Sequence, residues 1–323
     1  MKPAPFAYHA PSSAQEVVTL LAEFGDGAKV IAGGQSLMPV LAMRLAVFDH
    51  LVDLRRVAGL RGIGQRDGSA WIGAATTQAE IGRSGVVATA VPLLARATPL
   101  IGHFQIRNRG TIGGSLAHAD AAAEYPAVAL TLGAVMHTLS PRGTRTIPAA
   151  EFFTGIWTTA LAPDELLTGV EFPAWDGAGA NGGTGTAGSA RGQCGYAIEE
   201  FARRPGDFAI AGAAVAVQAC GGRVTRCGIG LFGLGPTPVR AAAAENAATG
   251  LAIADAAGAG HAAEIGVAAM AELDSVPADL HGSAGYRKRV GAAMVAAAWR
   301  RALREAVAAG GAKEGEGTGA CDE

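Results

Sequence analysis

Two short stretches decide how this chain is read: Ala32-Gly33-Gly34-Gln35-Ser36 and Thr111-Ile112-Gly113-Gly114-Ser115. Each sets a glycine pair beside a hydroxyl side chain. Adjacent glycines permit positive φ and leave no Cβ between the backbone and a ligand. Peptide N–H groups can then converge on an anion, and a helix starting just downstream adds its dipole. An apolar strand over 29–32 runs directly into the first stretch. Ser36 stands where a helix begins, with Leu37, Met38, Val40 and Leu41 behind it and Pro39 in the tolerated first turn. In the second stretch, Thr111 and Ser115 supply hydroxyls on either side of the glycines. A tight turn alone accounts for either pair taken singly. Two such stretches offer donors from two directions, which is what a diphosphate requires.

Outward from these stretches the pattern is mixed. Ser13 and Glu16 have capping-box spacing, Val17, Leu20, Leu21 and Phe24 recur at helical intervals, and Gly25 ends the run. A strand is predicted over 50–54, and a hairpin over 60–63 and 70–73 with its turn at Gln65-Arg66-Asp67-Gly68. Residues 76–101 read as helical with interruptions at Pro92 and Pro99. A helix and then a strand follow over 123–140, and another strand over 165–172. Residues 176–193 are glycine-rich and nearly devoid of large apolar side chains, which predicts a flexible linker and a domain boundary. Strands are predicted over 196–203, 208–220 and 224–231, the last two joined by Gly221-Gly222. Helices are predicted over about 238–248, 260–272 and 283–309, with a disordered tail over 310–323.

Composition narrows the function. The chain has 323 residues, half of them hydrophobic, but alanine and glycine make up most of the excess. No stretch approaches the roughly 20 strongly apolar residues of a spanning helix. The first residues open no signal-peptide core, so the expected location is the cytoplasm. Twenty-six basic against 28 acidic residues give a net charge of −2, without the basic footprint of a nucleic-acid binder. Arg55-Arg56, Arg203-Arg204 and Arg300-Arg301 read as solvated edges or helix ends. The cysteines, Cys194, Cys220, Cys227 and Cys321, form no C-x-x-C pair, so no metal site is assigned and buried free thiols are expected.

Other motifs carry less. Gly228-Ile229-Gly230-Leu231-Phe232-Gly233 matches G-x-G-x-x-G, but its glycines lie inside a strand rather than opening a helix, so it is not read as a dinucleotide site. His118, Asp120 and Glu124 lack a clean three-ligand geometry and read as a polar, ligand-facing run in which Glu124 approaches a ligand hydroxyl. Arg203-Arg204-Pro205-Gly206-Asp207-Phe208 is either an ordinary turn or a device presenting Phe208 to a planar ring. No nucleophile–base arrangement and no Walker loop is found, so no residue is assigned a catalytic role.

These residues carry a resemblance along nearly the whole chain. It starts at Phe6-Ala7-Tyr8-His9-Ala10-Pro11 and runs through Ala32–Leu37 and Leu51-Val52-Asp53-Leu54. It continues at Gln105-Ile106-Arg107-Asn108-Arg109-Gly110 into Thr111–Ser115, then at Gly206-Asp207-Phe208-Ala209, and ends near Tyr286-Arg287. The sequence resembles the medium, FAD-binding subunits of the molybdenum hydroxylases, the aerobic carbon monoxide dehydrogenase and xanthine dehydrogenase group. The resemblance implies an α+β fold: a PCMH-type FAD domain over 1–175 with lobes of about 1–55 and 56–175, and a C-terminal domain over 194–309 with a three-stranded antiparallel sheet and helices.

It also implies a site. Ala32, Gly33, Gly34, Gln35, Ser36 and Leu37, with Thr111, Gly113, Gly114 and Ser115, would hold the FAD diphosphate and neighbouring groups. Ile101 would lie against the adenine, Glu124 would bind a flavin hydroxyl, and Phe208 would sit beside the isoalloxazine; His118 and Asp207 complete the expected set. Ser115 stands where many members carry asparagine, Glu124 where aspartate is common, and Glu200 where some carry lysine. Gln35 replaces a common histidine, which fits non-covalent FAD. The implied partners are a large molybdenum-cofactor subunit and a small iron–sulfur subunit in a dimer of heterotrimers, those cofactors residing only in the partners. The chain would then relay electrons from iron–sulfur clusters through FAD to an external acceptor. The competing expectations are a stand-alone PCMH-type oxidase with its own small substrate, and a flavin-free scaffold.

Overall fold

A computed structural model of the protein describes residues 2–66, 68–175 and 192–314. The first unit is a three-stranded parallel sheet, with His50–Asp53 between Ala7–His9 and Ala28–Ile31. The Ala14–Phe24 helix buries Val17, Val18 and Leu21 in the core beside it. Its N-terminus follows the expected spacing with one change of partner. Ser13 Oγ accepts from Glu16 N–H at 3.2 Å, but the Glu16 carboxylate reaches back one residue further, to Ser12 N–H at 2.7 Å.

A five-stranded antiparallel sheet follows, ordered Ile63–Arg66, Ser69–Gly73, Leu166–Pro173, Val135–Ser140, Gly143–Pro148. The first hairpin strand begins at Ile63 rather than Leu60, because the Leu60 carbonyl is engaged by Ala75 N–H instead of a strand partner. Asp67 of the predicted turn lies outside the described residues. The 76–101 region is three short helices, Gln78–Arg83, Gly85–Ala90 and Pro92–Ala97. Ser84 both ends the first and caps the second, accepting from Val87 N–H at 3.3 Å.

The third sheet is antiparallel: Gln193–Phe201, Ala211–Cys220, Arg223–Phe232 and Val239–Arg240. It therefore has four strands, not the expected three. The fourth has two residues and no apolar alternation to reveal it; it exists because Leu231 and Gly230 pair with Val239 and Arg240 as the chain returns. Residues 208–210 are not strand, since Gly206 takes φ +83° and turns the chain at Phe208. Cys220 lies opposite Arg223 and Cys227 opposite Val217, so the hairpin separates these two thiols. The last helix runs Ala284–Glu314, so 310–314 is helical where a disordered tail was expected. The expectations for 176–191 and 315–323 lie outside the described residues; Gln193 already belongs to a strand.

Both faces of this sheet are covered. The Ala284–Glu314 and Ala242–Ala248 helices cover Val215, Val217, Ile229 and Leu231 on one side, with the Ala259–Ala271 helix packed behind them. The wholly buried Glu124–Leu132 helix packs on the other and joins the second and third sheets into one core. This explains the misleading glycine motif. A Cβ on Gly228 would lie 2.3 Å from the Thr131 carbonyl oxygen, and one on Gly230 2.5 Å from that of Ala127. The glycines admit a helix backbone, not a phosphate.

Candidate functional site

The first glycine turn leaves the carboxyl end of a parallel strand, Ala28–Ile31, where open sheets of this kind bind ligands. Gly34 takes φ +72°, which only glycine adopts without strain. A Cβ on Gly33 would sit 2.2 Å from the Arg109 carbonyl oxygen, so the turn lies directly on the 107–110 segment. The two stretches are thereby brought together: a Cβ on Gly114 would lie 3.3 Å from that of Ala32.

Their donors differ. Among the described residues, the N–H groups of Gly33, Gly34, Gln35 and Ser36 find no protein acceptor, and Ser36 Oγ makes no capping bond. The Gln35 side chain folds back, donating to the Gly33 carbonyl at 3.0 Å. The second stretch is not a loop but the first turn of the Ile112–His118 helix, with Thr111 as its cap. Its amides are already engaged: Ile112 with Thr76 O, Gly113 with Ala74 O, Gly114 with Thr111 Oγ1 and Ser115 with Thr111 O. The expectation that these N–H groups converge on an anion is corrected. What this side offers is a helix N-terminus and the Thr111 and Ser115 hydroxyls. Gly113 is small for packing, since its Cβ would meet Ala74 Cβ at 2.5 Å.

The first turn borders a cleft of about 350 Å³ that also receives Arg55, Arg109 and Asp53. Arg55 was read as a solvated edge; it is the missed residue here. Asp53 holds it, accepting from the Arg55 backbone at 2.7 Å, its guanidinium at 3.1 Å and Tyr8 Oη at 2.6 Å. The only signal in the sequence was its place two residues beyond the end of a strand. Both arginines face a region rich in unpartnered amides, a setting matched to a doubly charged anion.

A second cavity, about 600 Å³, lies between the N-terminal and C-terminal halves. Asp120, Ala121 and Ala122 form one wall, and Asp207, Phe208, Ala209 and Ile210 another. Phe208 is 65 % exposed, and Trp157, in the left-handed region at φ +52°, presents its ring from the tip of a short hairpin. Arg204 holds Asp207 at 3.0 Å, fixing the turn that displays Phe208. Trp157 was not anticipated; a tryptophan just after Gly155, with Thr158 and Thr159 behind it, was the available sign.

Glu124 opens its helix at the edge of this wall and is 7 % exposed. Burial pushes its carboxyl up to about 8, against the pull of its own N–H and helped by the charges of Glu200 and Asp120. It is therefore protonated at neutral pH, able to donate to a ligand hydroxyl as well as accept from one. Burial lowers His118, opposed by Asp120 and aided by Lys29, so it stands as a neutral ring loosely stacked on Trp157 at 6.5 Å. Ile101 lies half-buried, its carbonyl held by Arg107 at 2.8 Å, and Leu37 begins the short helix after the first turn. The structure thus brings the first turn, the helix start, Ser115 and the arginines to one end, and Glu124, His118, Asp207 and Phe208 to the other.

Comparison with known proteins identifies the family. Residues 4–175 match the FAD binding domain in molybdopterin dehydrogenase, and residues 196–302 the CO dehydrogenase flavoprotein C-terminal domain. The 6-hydroxypseudooxynicotine dehydrogenase complex subunit alpha of Paenarthrobacter nicotinovorans is 42 % identical, covering 95 % of this chain and 97 % of its own. The carbon monoxide dehydrogenase medium chain of Hydrogenophaga pseudoflava is 36 % identical over 93 % of this chain and 99 % of its own. The structure of carbon monoxide dehydrogenase from that organism superposes with a TM-score of 0.86, covering 94 % of this chain and 99 % of the matched chain. The relatives are named as subunits or chains of larger enzymes, which favours a subunit over a stand-alone oxidase. With both domains matched in order and the fold shared throughout, the chain belongs to the FAD-binding medium subunits of the molybdenum hydroxylases.

Proposed function

We propose that this chain holds FAD non-covalently across the two sites just described, with the diphosphate against Gly33–Ser36 and the phosphates' charge met by Arg55, Arg109 and the helix start at Ile112. The observation that carries the reading is the set of unpartnered amides at 33–36, facing a helix N-terminus at the carboxyl end of a parallel strand. Ser36, Thr111 and Ser115 add hydroxyls, Leu37 and Ile101 line the path toward the adenosine, and Glu124 donates to a ribityl hydroxyl. Phe208 packs on the isoalloxazine, with Asp207 and His118 at its edge. Gln35 offers no nucleophilic ring for a covalent link.

FAD, when bound, supplies redox capacity that can be loaded one electron at a time and unloaded in pairs. The chain's own residues bind it, orient it and exclude water from the cavity between the halves. As a family member the chain is an oxidoreductase subunit working in a multi-subunit complex. We infer further that a large molybdenum-cofactor subunit and a small iron–sulfur subunit assemble with it as a dimer of heterotrimers in the cytoplasm, and that 176–192 separates a 1–175 FAD domain from the C-terminal domain. Among the described residues no helix is long and apolar enough to cross a membrane.

The test is direct. Purified protein should be yellow and release one FAD per chain on denaturation without covalent residue, and should co-purify with two partners. Colourless protein that takes up no added FAD would sink the reading.

A further inference from the structure

Two acidic side chains stand behind the wall of the larger cavity with no cation among the described residues paired to them. Glu200 lies across from Gly212, one step from the Phe201–Ala211 pair that adjoins Ala209 and Ile210 of that wall. Glu124 follows Ala122 of the opposite wall by two residues. The walls are fastened together there: Gly233 N–H donates to the Ala121 carbonyl at 2.7 Å, and Gly212 pairs with Phe232, next to Gly233. Glu200 Oε2 is buried with no hydrogen-bond partner among the described residues, and the charge of Glu200 reaches Glu124, where it adds to the effect of burial.

The charged groups on the surrounding elements do not relieve this. Arg107 is held by the carbonyls of Pro99, Ile101 and Gly102. Arg204 pairs with Asp207, Arg287 of the long helix with Asp279, and Arg301 of the same helix with Glu199. Arg203 is exposed to solvent, and Tyr286 lies against Phe201 rather than Glu200. On the near side Asp120 adds negative charge, and His118 is held neutral by burial.

We propose that Glu124 and Glu200 form a carboxyl pair that shares one proton in the oxidised protein and takes up a second when the flavin beside it is reduced. The inference rests on the FAD site proposed above. Two carboxyls in one poorly solvated region do not both ionise, and they titrate as a unit. Burial alone pushes Glu200 up to about 7, and burial is likewise the first cause of the rise at Glu124. Reduction delivers two electrons from the iron–sulfur partner and one proton from solvent to the flavin, which gains one negative charge. That charge raises the proton affinity of the remaining carboxylate, which takes one proton from solvent. Two electrons and two protons have then entered, and the local charge is unchanged. Reoxidation by the external acceptor returns both protons to solvent.

The test uses the FAD-loaded complex in an electrochemical cell. Between about pH 7 and about pH 8, where the oxidised pair holds a single proton, the flavin midpoint should follow pH with about two protons per two electrons, falling to about one in the double variant E124Q/E200Q. Reduction of the wild type at pH 8 should also add the infrared carbonyl band of a protonated carboxylic acid, a readout that needs no variant. A wild-type slope of about one proton per two electrons, or no gain in that band, overturns the pair. If the double variant fails to hold FAD, the wild-type infrared result decides. Wild-type protein that binds no FAD would instead remove the site reading beneath it.

Discussion

Gly33 is the residue on which the site turns. Its missing side chain lets the first turn rest on the Arg109 carbonyl, so Gly33→Val drives the two stretches apart. The expected loss is roughly 1–3 kcal/mol of stability, as for other overpacked contacts, with loss of bound flavin read from visible absorbance. Phe208 is the opposite case. It is 65 % exposed, so Phe208→Ala should leave the unfolding temperature nearly unchanged. It should weaken FAD binding by roughly 2- to 10-fold, the worth of one aromatic stacking contact, measured by titrating apoprotein with FAD. The Gly33-Gly34 turn at a strand end and the turn that displays Phe208 were legible in the sequence because their chemistry is local. Arg55, Trp157 and the pairing of Glu124 with Glu200 were not: each acquires its meaning from a neighbour distant in the chain. Nor did the sequence reveal which amides were already engaged. Thr111-Ile112-Gly113-Gly114 reads as an open cradle until Ala74 and Thr76 accept its N–H groups.

At the scale of elements, two carboxyl sites respond to pH with opposite sign. Burial alone lifts Glu165, but Arg145, Thr138 and the Ala162 N–H reverse this and bring it down to about 2. Arg145 and Thr138 come from the Gly143–Pro148 and Val135–Ser140 strands, so this carboxylate ties a hairpin to the chain entering Leu166–Pro173. Its folded value lies below the ordinary 4.5, so the stabilisation is complete above 4.5 and disappears as pH falls through about 2. Glu165→Gln should lower the unfolding temperature at neutral pH and lose that deficit near pH 2. Glu200 runs the other way: its folded value is raised to about 7, so stability is lost as pH climbs from 4.5 through 7. Glu200→Gln should therefore match wild type near pH 4 and exceed it near pH 9, seen by calorimetry across that range. Elements with strong periodicity, such as Ala14–Phe24 and the Ala211–Cys220 and Arg223–Phe232 hairpin, were readable beforehand. The Val239–Arg240 strand was not, because two residues carry no pattern of their own.

Across the whole molecule, one cluster links the halves. Arg96 of the Pro92–Ala97 helix binds Glu305 of the long C-terminal helix at 2.6 Å and also the Tyr196 carbonyl, while Glu305 accepts from Tyr196 N–H at 3.1 Å. Both side chains are over a third exposed, so Arg96→Ala should cost only about 1 kcal/mol. Because the Glu124–Leu132 helix is core to both the second and third sheets, that variant should still unfold in a single transition. Two separated calorimetric transitions would contradict a shared core.

The unequal treatment of the two glycine stretches has a kinetic meaning. The Thr111–Ser115 side is a finished helix start whose amides are bonded with or without a ligand. The Gly33–Ser36 side leaves its amides to whatever arrives. The clamp therefore has one rigid jaw and one compliant jaw, and bound FAD should order the compliant one while leaving the rigid one as it is. Deuterium should enter residues 33–36 quickly in apoprotein and slowly after FAD is added, while the amides at 112–115 exchange at the same slow pace in both.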